Sequence, residues 1–245
     1  VELVRGEFGL RPHRVAGGYN RYRKDVLDQL QTDPARFRFR IVAGQTGTGK
    51  TRFLTALAEA GGQVLALEGL ANHKGSMFGL TPGESQPSPR EFDSRLADAL
   101  RSFDPEQPVW VESESPKIGE LFVPQHLHQA LRGSECIRLH VPLEARVAHS
   151  LSDYAPWFDH PEAIRDRLER LAYRHGHRII RCWLELLDER DWPGLIRILL
   201  EQHYDPAYAG SASAYGWDQG EPLALDDLSA ATMKKAAQET LDRFT

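Results

Sequence analysis

The chain has 245 residues, of which 41% are hydrophobic, and 30 Lys and Arg against 35 Asp and Glu give it a net charge of −5. That length buries a sizeable core as one large domain or as one domain with an appendage. The acidic balance excludes a polycation, so any nucleic-acid surface has to be a local basic patch. Two well-separated cysteines, Cys136 and Cys182, exclude a disulfide framework and a cysteine-rich zinc site and suit a reducing cytosol. No apolar run approaches the roughly 18 residues of a membrane span, no signal peptide is read, and the opening Val1 in place of Met points to sequence upstream.

In chain order, residues 1–30 read as an incomplete piece: a short strand-like run, a Gly17-Gly18 turn and a helix to about Leu30. One strand and one helix bury little by themselves. Residues 31–142 alternate strands and helices. Strands are expected at 39–43, 63–67, 108–112 and 136–141, with helices over 50–60 and 90–103. This is an α/β pattern with a parallel sheet and right-handed crossovers. Residues 143–208 are helical by periodicity, interrupted at "DYAPWFDHP" and "DWPG". Residues 209–245 read as a Gly/Ser/Ala linker to 221, then an acidic strand or turn and a short helix.

The stretch "GQTGTGKT" follows the first strand and opens the first helix. Gly44, Gly49, Lys50 and Thr51 complete the G-x-x-x-x-G-K-[ST] pattern in its proper setting. Glycines let the N–H groups of Gly44, Gln45, Thr46, Gly47, Thr48 and Gly49 turn inward around an anion. The helix N-terminus adds positive potential, Lys50 brings an ammonium, and the Thr51 hydroxyl suits Mg²⁺. The motif reports a phosphate without saying which compound carries it. "VWVESES" puts Glu112 at the carboxyl end of a buried strand and Glu114 two residues on, where P-loop proteins hold Mg²⁺. Thr51 and Glu112 are thus the expected metal ligands, and Lys50, Thr51, Glu112 and Glu114 the expected catalytic set. A solvated strand end is the plainer alternative for the carboxylates.

After the second strand, Glu68, Asn72, His73, Lys74 and Ser76, with Gln86, Ser88 and Arg90 further on, form a long polar loop at the ligand-bearing sheet edge. It is expected to supply acceptor-substrate contacts or a general base. Further along, Arg167, Arg170, Arg174, Arg178 and Arg181 fall on one helical stripe in "RDRLERLAYRHGHRIIR". Such a ridge suits a phosphate backbone. Its alternative is a solvated face paired with Asp166, Glu169 and Glu185.

The motifs "GQTGTGKT", "LEGLANHKGSMFG", "QPSPREF", "VWVESESPKIG" and "HYDPAY", in this order between residues 41 and 208, resemble those of the P-loop portion of tRNA 2-selenouridine synthases. "VAGGYNRYRKDVL" looks like the last strand and helix of the rhodanese domain that precedes it in bacterial members. The resemblance implies a P-loop kinase-like three-layer domain followed by a helical part that binds the tRNA anticodon stem-loop. It implies two reactions at the wobble 2-thiouridine: geranylation by geranyl diphosphate, then replacement by selenium from selenophosphate. A selenophosphate-supplying enzyme and a rhodanese domain or separate subunit are the implied partners, Mg²⁺ the implied cofactor, with no ATP requirement, a cytoplasmic location and no membrane.

The family's rhodanese cysteine would lie before residue 1, and neither Cys136 nor Cys182 has the loop expected around it, so selenation by this chain alone is not expected. Met77, Phe78, Leu80, Phe122 and Trp157 are candidates for a geranyl slot. Two other readings stay open: a small-molecule or nucleoside kinase, suggested by "LHVPLEARV", and a non-catalytic RNA-binding module.

Overall fold

The computed structural model describes residues 16–244 of the chain. Apolar runs without alternation form its central strands, β1 (Phe39–Ala43) and β3 (Val109–Glu112), which are buried almost throughout. A strand covered on both faces needs that pattern, and a parallel sheet supplies such strands. With β2 (Gln63–Leu65), β6 (Glu135–His140) and β7 (Glu221–Ala224) they make one five-stranded parallel sheet of order β2-β3-β1-β6-β7. A separate antiparallel pair, β4 (Lys117–Ile118) and β5 (Leu121–Phe122), follows β3.

One face of the sheet is covered by α1 (Gly18–Thr32), α4 (Pro89–Ser102) and α5 (Gln125–Arg132). Val26, Leu30, Phe92, Leu96 and Leu127 share a core there with Phe39 and Ile41. α4 starts where its sequence says it should: Ser88 Oγ accepts from the Glu91 amide at 3.2 Å, and Pro89 takes the first turn, where no N–H is required. The other face is covered by α2 (Lys50–Glu59) and α12 (Ala230–Phe244). Phe53, Leu54 and Leu57 of α2, spaced for one helical side, meet Met233, Ala236 and Ala237 of α12. Helices on both faces of a parallel sheet make the three layers of a P-loop kinase-like domain, as expected. The short α3 (Leu67–Ala71) follows β2 within the stretch read as loop.

The helical part comprises α6 (Leu143–Asp153), α7 (Pro161–Glu169), α8 (Ala172–His175), α9 (His177–Asp188), α10 (Trp192–Leu199), a π turn over Leu200–Tyr204 and α11 (Asp205–Tyr215). It has its own core, in which Trp157, Leu168, Ile180, Trp183, Leu187 and Leu199 are buried.

The strand-like run expected before Gly17 lies outside the described residues. Two other expectations change. The single arginine helix is broken: a turn follows Glu169, and Gly176 adopts φ 81°, ψ 152°, a conformation open to glycine, between α8 and α9. The expected linker from 209 is helical to Tyr215, because its alanines favour helix, Ala212 is buried, and Gly216 at φ 73° ends the turn. The tail then supplies β7 beside β6 and lays α12 on α2, so it completes the α/β layers.

A chain ending at residue 229 uncovers Phe53 and Leu57. It should be too unstable to give a cooperative urea transition, whereas Leu27→Ala, at a side chain 48% exposed, should stay within about 0.5 kcal/mol of the parent.

Candidate functional site: a P-loop cavity with an apolar side cleft

β1 runs directly into the glycine loop, and Gly47 (φ 81°) and Gly49 (φ 75°) shape its bend. The positive φ favours glycine at both positions, and at Gly47 a Cβ would also lie 2.9 Å from Ser150 Oγ and 3.2 Å from the Arg146 carbonyl. Thr48 turns inward, its Oγ1 donating to the Gln45 carbonyl at 2.8 Å. Lys50 folds back over the loop and donates to the Gly44 carbonyl at 3.0 Å, an ammonium held at the place an anion would occupy.

Behind the loop lies an arginine the motif does not contain. Arg146 of α6 is 3% exposed. Its Nε donates to the Thr46 carbonyl at 2.9 Å and its Nη1 to Gln45 Oε1 at 3.2 Å. Its two terminal nitrogens hold Asp205 of α11 at 3.0 and 2.6 Å. A forked guanidinium makes such paired bonds to a carboxylate well. Arg146 is thus committed to the loop backbone and to the helical part. "HYDPAY" also gains roles here. His203 lies 3.0 Å from His175, Nδ1 to Nε2, and is neutral at neutral pH because burial first, then His175 and Arg174, push its pKa down to about 4. Tyr204 and Tyr208 line the cavity.

At the strand ends, the order β2-β3-β1 brings three carboxyl groups together. Glu112 is 2% exposed; one oxygen accepts from the Glu68 amide at 2.6 Å and the other has no partner. Burial, then repulsion from Glu68, raises its pKa to about 8, against the pull of the Glu68 amide and Lys50. Glu114 is pushed up for the same reasons, burial first and Glu68 next. Glu68 Oε2 accepts from Thr51 Oγ1 at 3.2 Å. Glu68 therefore stands with the acidic pair, not with the substrate loop in which the sequence put it.

Among the described residues no group of three or more His, Cys, Asp and Glu side chains is arranged to hold a metal ion by itself. Thr51, the carboxyl groups and the unpartnered Glu112 oxygen still fit Mg²⁺, which keeps several waters and shares its remaining sites with phosphate oxygens. A cation there would offset the mutual repulsion of the three carboxylates.

A cavity of about 530 Å³ opens above the loop, lined by Thr46, Gly47, Gly49, Lys50 and Thr51 and by Glu68, Asn72, His73, Lys74, Ser76 and Glu114. Much of the polar loop is held by its own bonds. Asn72 donates to the Ser85 carbonyl at 2.9 Å, Lys74 pairs with Asp153 at 2.9 Å, Ser76 meets Tyr154 OH at 3.1 Å, and His73 Nδ1 accepts from the Gly75 amide at 3.1 Å. Burial lowers the His73 pKa, opposed by Glu68 and Glu120. Gln86 staples the loop to the Ala71 and Ile118 carbonyls and the Glu120 amide, and Ser88 caps α4, so "QPSPREF" serves structure here.

A second, apolar cleft of about 50 Å³ adjoins the cavity. Thr46, Ser150, Tyr154 and Tyr204 line both, while Phe78, Trp157, Phe158, Trp192 and Leu199 wall the cleft alone. Phe78 and Trp157 were named from sequence and Met77 packs on the same core, but Leu80 does not line the cleft and Phe122 is 65% exposed on β5.

The arginines stand apart from the cavity. Arg167 turns inward, donating to the Met77 carbonyl at 3.0 Å with its guanidinium 4.2 Å from the Trp157 ring centre, so it leaves the expected stripe. Arg170, Arg174, Arg178 and Arg181 are exposed, and among the described residues none has an ion pair or side-chain hydrogen bond. The Asp166, Glu169 and Glu185 pairings of the alternative reading are not formed.

The sheet order, the glycine loop and the acidic strand ends define a P-loop protein of the kinase-like α/β class. The tRNA 2-selenouridine synthase AAA domain family matches residues 37–218, and the chain belongs to the tRNA 2-selenouridine synthase family. It is 34% identical to the tRNA 2-selenouridine synthase of Azotobacter vinelandii over 241 residues, which cover 85% of this chain and 62% of that protein. It is 34% identical to that of Pseudomonas syringae pv. tomato (80% and 60% covered) and 32% identical to that of Marinobacter nauticus (79% and 59% covered). The chain thus spans about three fifths of the length of these curated relatives. Among the described residues no helix is long and apolar enough to cross a membrane.

Two outcomes follow from this geometry. Asp205→Ala leaves Arg146 buried without its carboxylate. It should lower unfolding free energy by about 3–5 kcal/mol in urea titrations and weaken pyrophosphate binding measured by calorimetry. Glu112 titrates near 4.5 unfolded and near 8 folded. Its contribution to stability is therefore complete below about pH 4.5 and lost as pH rises through 8. Thermal melts should show Glu112→Gln gaining on the parent across that window in metal-free buffer.

Proposed function

We propose that the chain is the P-loop part of a tRNA-modifying transferase that takes geranyl diphosphate as donor and wobble 2-thiouridine as acceptor. The observation that carries this reading is the continuity of the phosphate-type cavity with an apolar cleft across Thr46, Ser150, Tyr154 and Tyr204. A ligand with a diphosphate head and a hydrocarbon tail matches both halves. ATP needs no such cleft. The cleft is narrow as it stands, so a ten-carbon tail has to part Phe78 from its aromatic neighbours.

In the proposed reaction the allylic C–O bond breaks and pyrophosphate leaves with the electron pair. The tRNA sulfur forms the new C–S bond and the thiouracil ring gives up its N3 proton. The glycine-loop amides and Lys50 hold the charge that grows on the leaving group, donors already in place before the reaction. Mg²⁺, when held by Thr51 and the carboxylates, would add positive charge at the same oxygens. Asn72, His73, Lys74 and Ser76 border the acceptor side. The exposed arginines of α8 and α9, with Arg170 before them, hold the anticodon stem-loop by its phosphates.

In the second reaction, the selenium of selenophosphate attacks C2 of the geranylated base, the C–S bond breaks with loss of geranylthiolate, and water takes the phosphoryl group as the Se–P bond breaks to leave phosphate. We assign its cysteine to a rhodanese domain or subunit outside this chain. Burial pushes the Cys136 thiol up to about 12, which suppresses the nucleophilic thiolate.

Incubation with 2-thiouridine tRNA, Mg²⁺ and geranyl diphosphate, followed by nucleoside mass spectrometry, should show the mass of one added geranyl group. Lys50→Ala should abolish that product and retain tRNA binding. Arg170→Glu with Arg174→Glu should weaken tRNA binding and flatten its salt dependence by about two counterions while retaining diphosphate binding. ATP hydrolysis without tRNA, with no geranylated nucleoside, would favour the kinase instead.

A further inference from the structure

The surface between α7 and α9 carries an unpartnered aromatic ring as well as unpartnered charge. Tyr173 of α8 is 88% exposed, the most exposed of the large hydrophobic side chains among the described residues. From Arg170 to Leu184 the sequence holds four arginines and two histidines and no acidic residue, in a chain that is acidic as a whole. Those four arginines make no ion pair or side-chain hydrogen bond among the described residues, although Glu169 and Glu185 flank them.

The backbone gives this surface its shape. Gly176 breaks the helix after a single turn, so Tyr173 and Arg174 sit on a corner and not in mid-helix. The corner is anchored from behind: His175 bonds His203 at 3.0 Å and packs on Trp183 at 4.8 Å between ring centres. His203 precedes Tyr204, a wall residue of the cavity. The corner is therefore tied through His203 to the segment that carries Tyr204.

We infer that Tyr173 is a stacking platform for an unpaired nucleobase of the RNA substrate, with Arg170, Arg174, Arg178 and Arg181 tracking the phosphates on either side of it. This rests on the tRNA reading above and specifies it: the surface takes a single-stranded loop, not duplex. Duplex RNA offers phosphates to the arginines but no free base face. A splayed loop offers both, and alternating aromatic and cationic side chains suit it.

The test is fluorescence anisotropy of labelled anticodon stem-loop and of a blunt RNA duplex of equal length, with the full chain. Tyr173→Ala should weaken stem-loop binding about tenfold, leave its salt slope unchanged and leave duplex binding unchanged. Tyr173→Phe, which keeps the ring, should restore the parent affinity. Because the side chain is exposed, the fold is not at risk. If Tyr173→Ala binds the stem-loop like the parent while Arg170→Glu with Arg174→Glu does not, the platform is wrong and the tRNA surface stands. If neither change weakens binding, the tRNA surface itself is misplaced. Equal losses on stem-loop and duplex would also overturn the platform.

Discussion

One buried guanidinium ties the two halves of the molecule together. Arg146 reaches a loop carbonyl on one side and the Asp205 carboxylate on the other, so the glycine loop, α6 and α11 are fixed relative to each other through a single side chain. A buried ion pair of this kind adds little net stability over an apolar filling of the same volume, since both charges are stripped of water. What it does supply is direction. Hydrogen bonds to a carbonyl and a carboxylate admit one arrangement, where apolar packing admits several. The loop is thus not a free-standing motif on a strand: its shape depends on a helix that begins about 160 residues later in the chain.

The opposite charge is concentrated just across the loop. Glu68, Glu112 and Glu114 converge because β2 and β3 are neighbours and end at the same level. Burial first, and then repulsion from Glu68, holds the Glu112 and Glu114 carboxyl groups well above their ordinary range. Lys50 offsets part of this from the loop side. Carboxyl groups and a set of amides with an ammonium thus face each other across one cavity, the arrangement on which the proposed metal-bound diphosphate rests. The raised pKa values are thus a consequence of the same strand order that makes the fold.

Much of this was legible in the sequence where the determinants are local. The glycine loop, its strand and its helix follow from eight consecutive residues and an apolar run on each side. Glu112 was legible because strand ends are predictable. Glu68 was placed in the wrong group, because its neighbours are set by which strands lie side by side, which periodicity does not state. The Arg146–Asp205 pair spans 59 residues and leaves no pattern at all. The arginine stripe failed at Gly176: the 3.6-residue spacing runs straight through a glycine whose backbone turns the chain. The linker failed in the opposite direction, since Gly, Ser and Ala read as flexible by composition while alanine favours helix and a buried Ala212 anchors it.

The helical part gives a kinase-like sheet an apolar cleft beside its polar edge, the feature on which the proposed geranyl diphosphate site rests. In an open parallel sheet the carboxyl edge is polar, as it is here along the glycine loop and the acidic strand ends. Apolar walls have to come from elsewhere, and they come from α10, the 3₁₀ turn at Ala155–Trp157 and the loop residue Phe78, with Trp157 Nε1 held on the Phe78 carbonyl at 3.0 Å. The corner at Tyr173 rests on the same core through Leu171, Ala172 and Ile179. The same small core of Trp157, Leu168, Ile180 and Trp183 therefore supports the apolar cleft on one side and the arginine surface on the other.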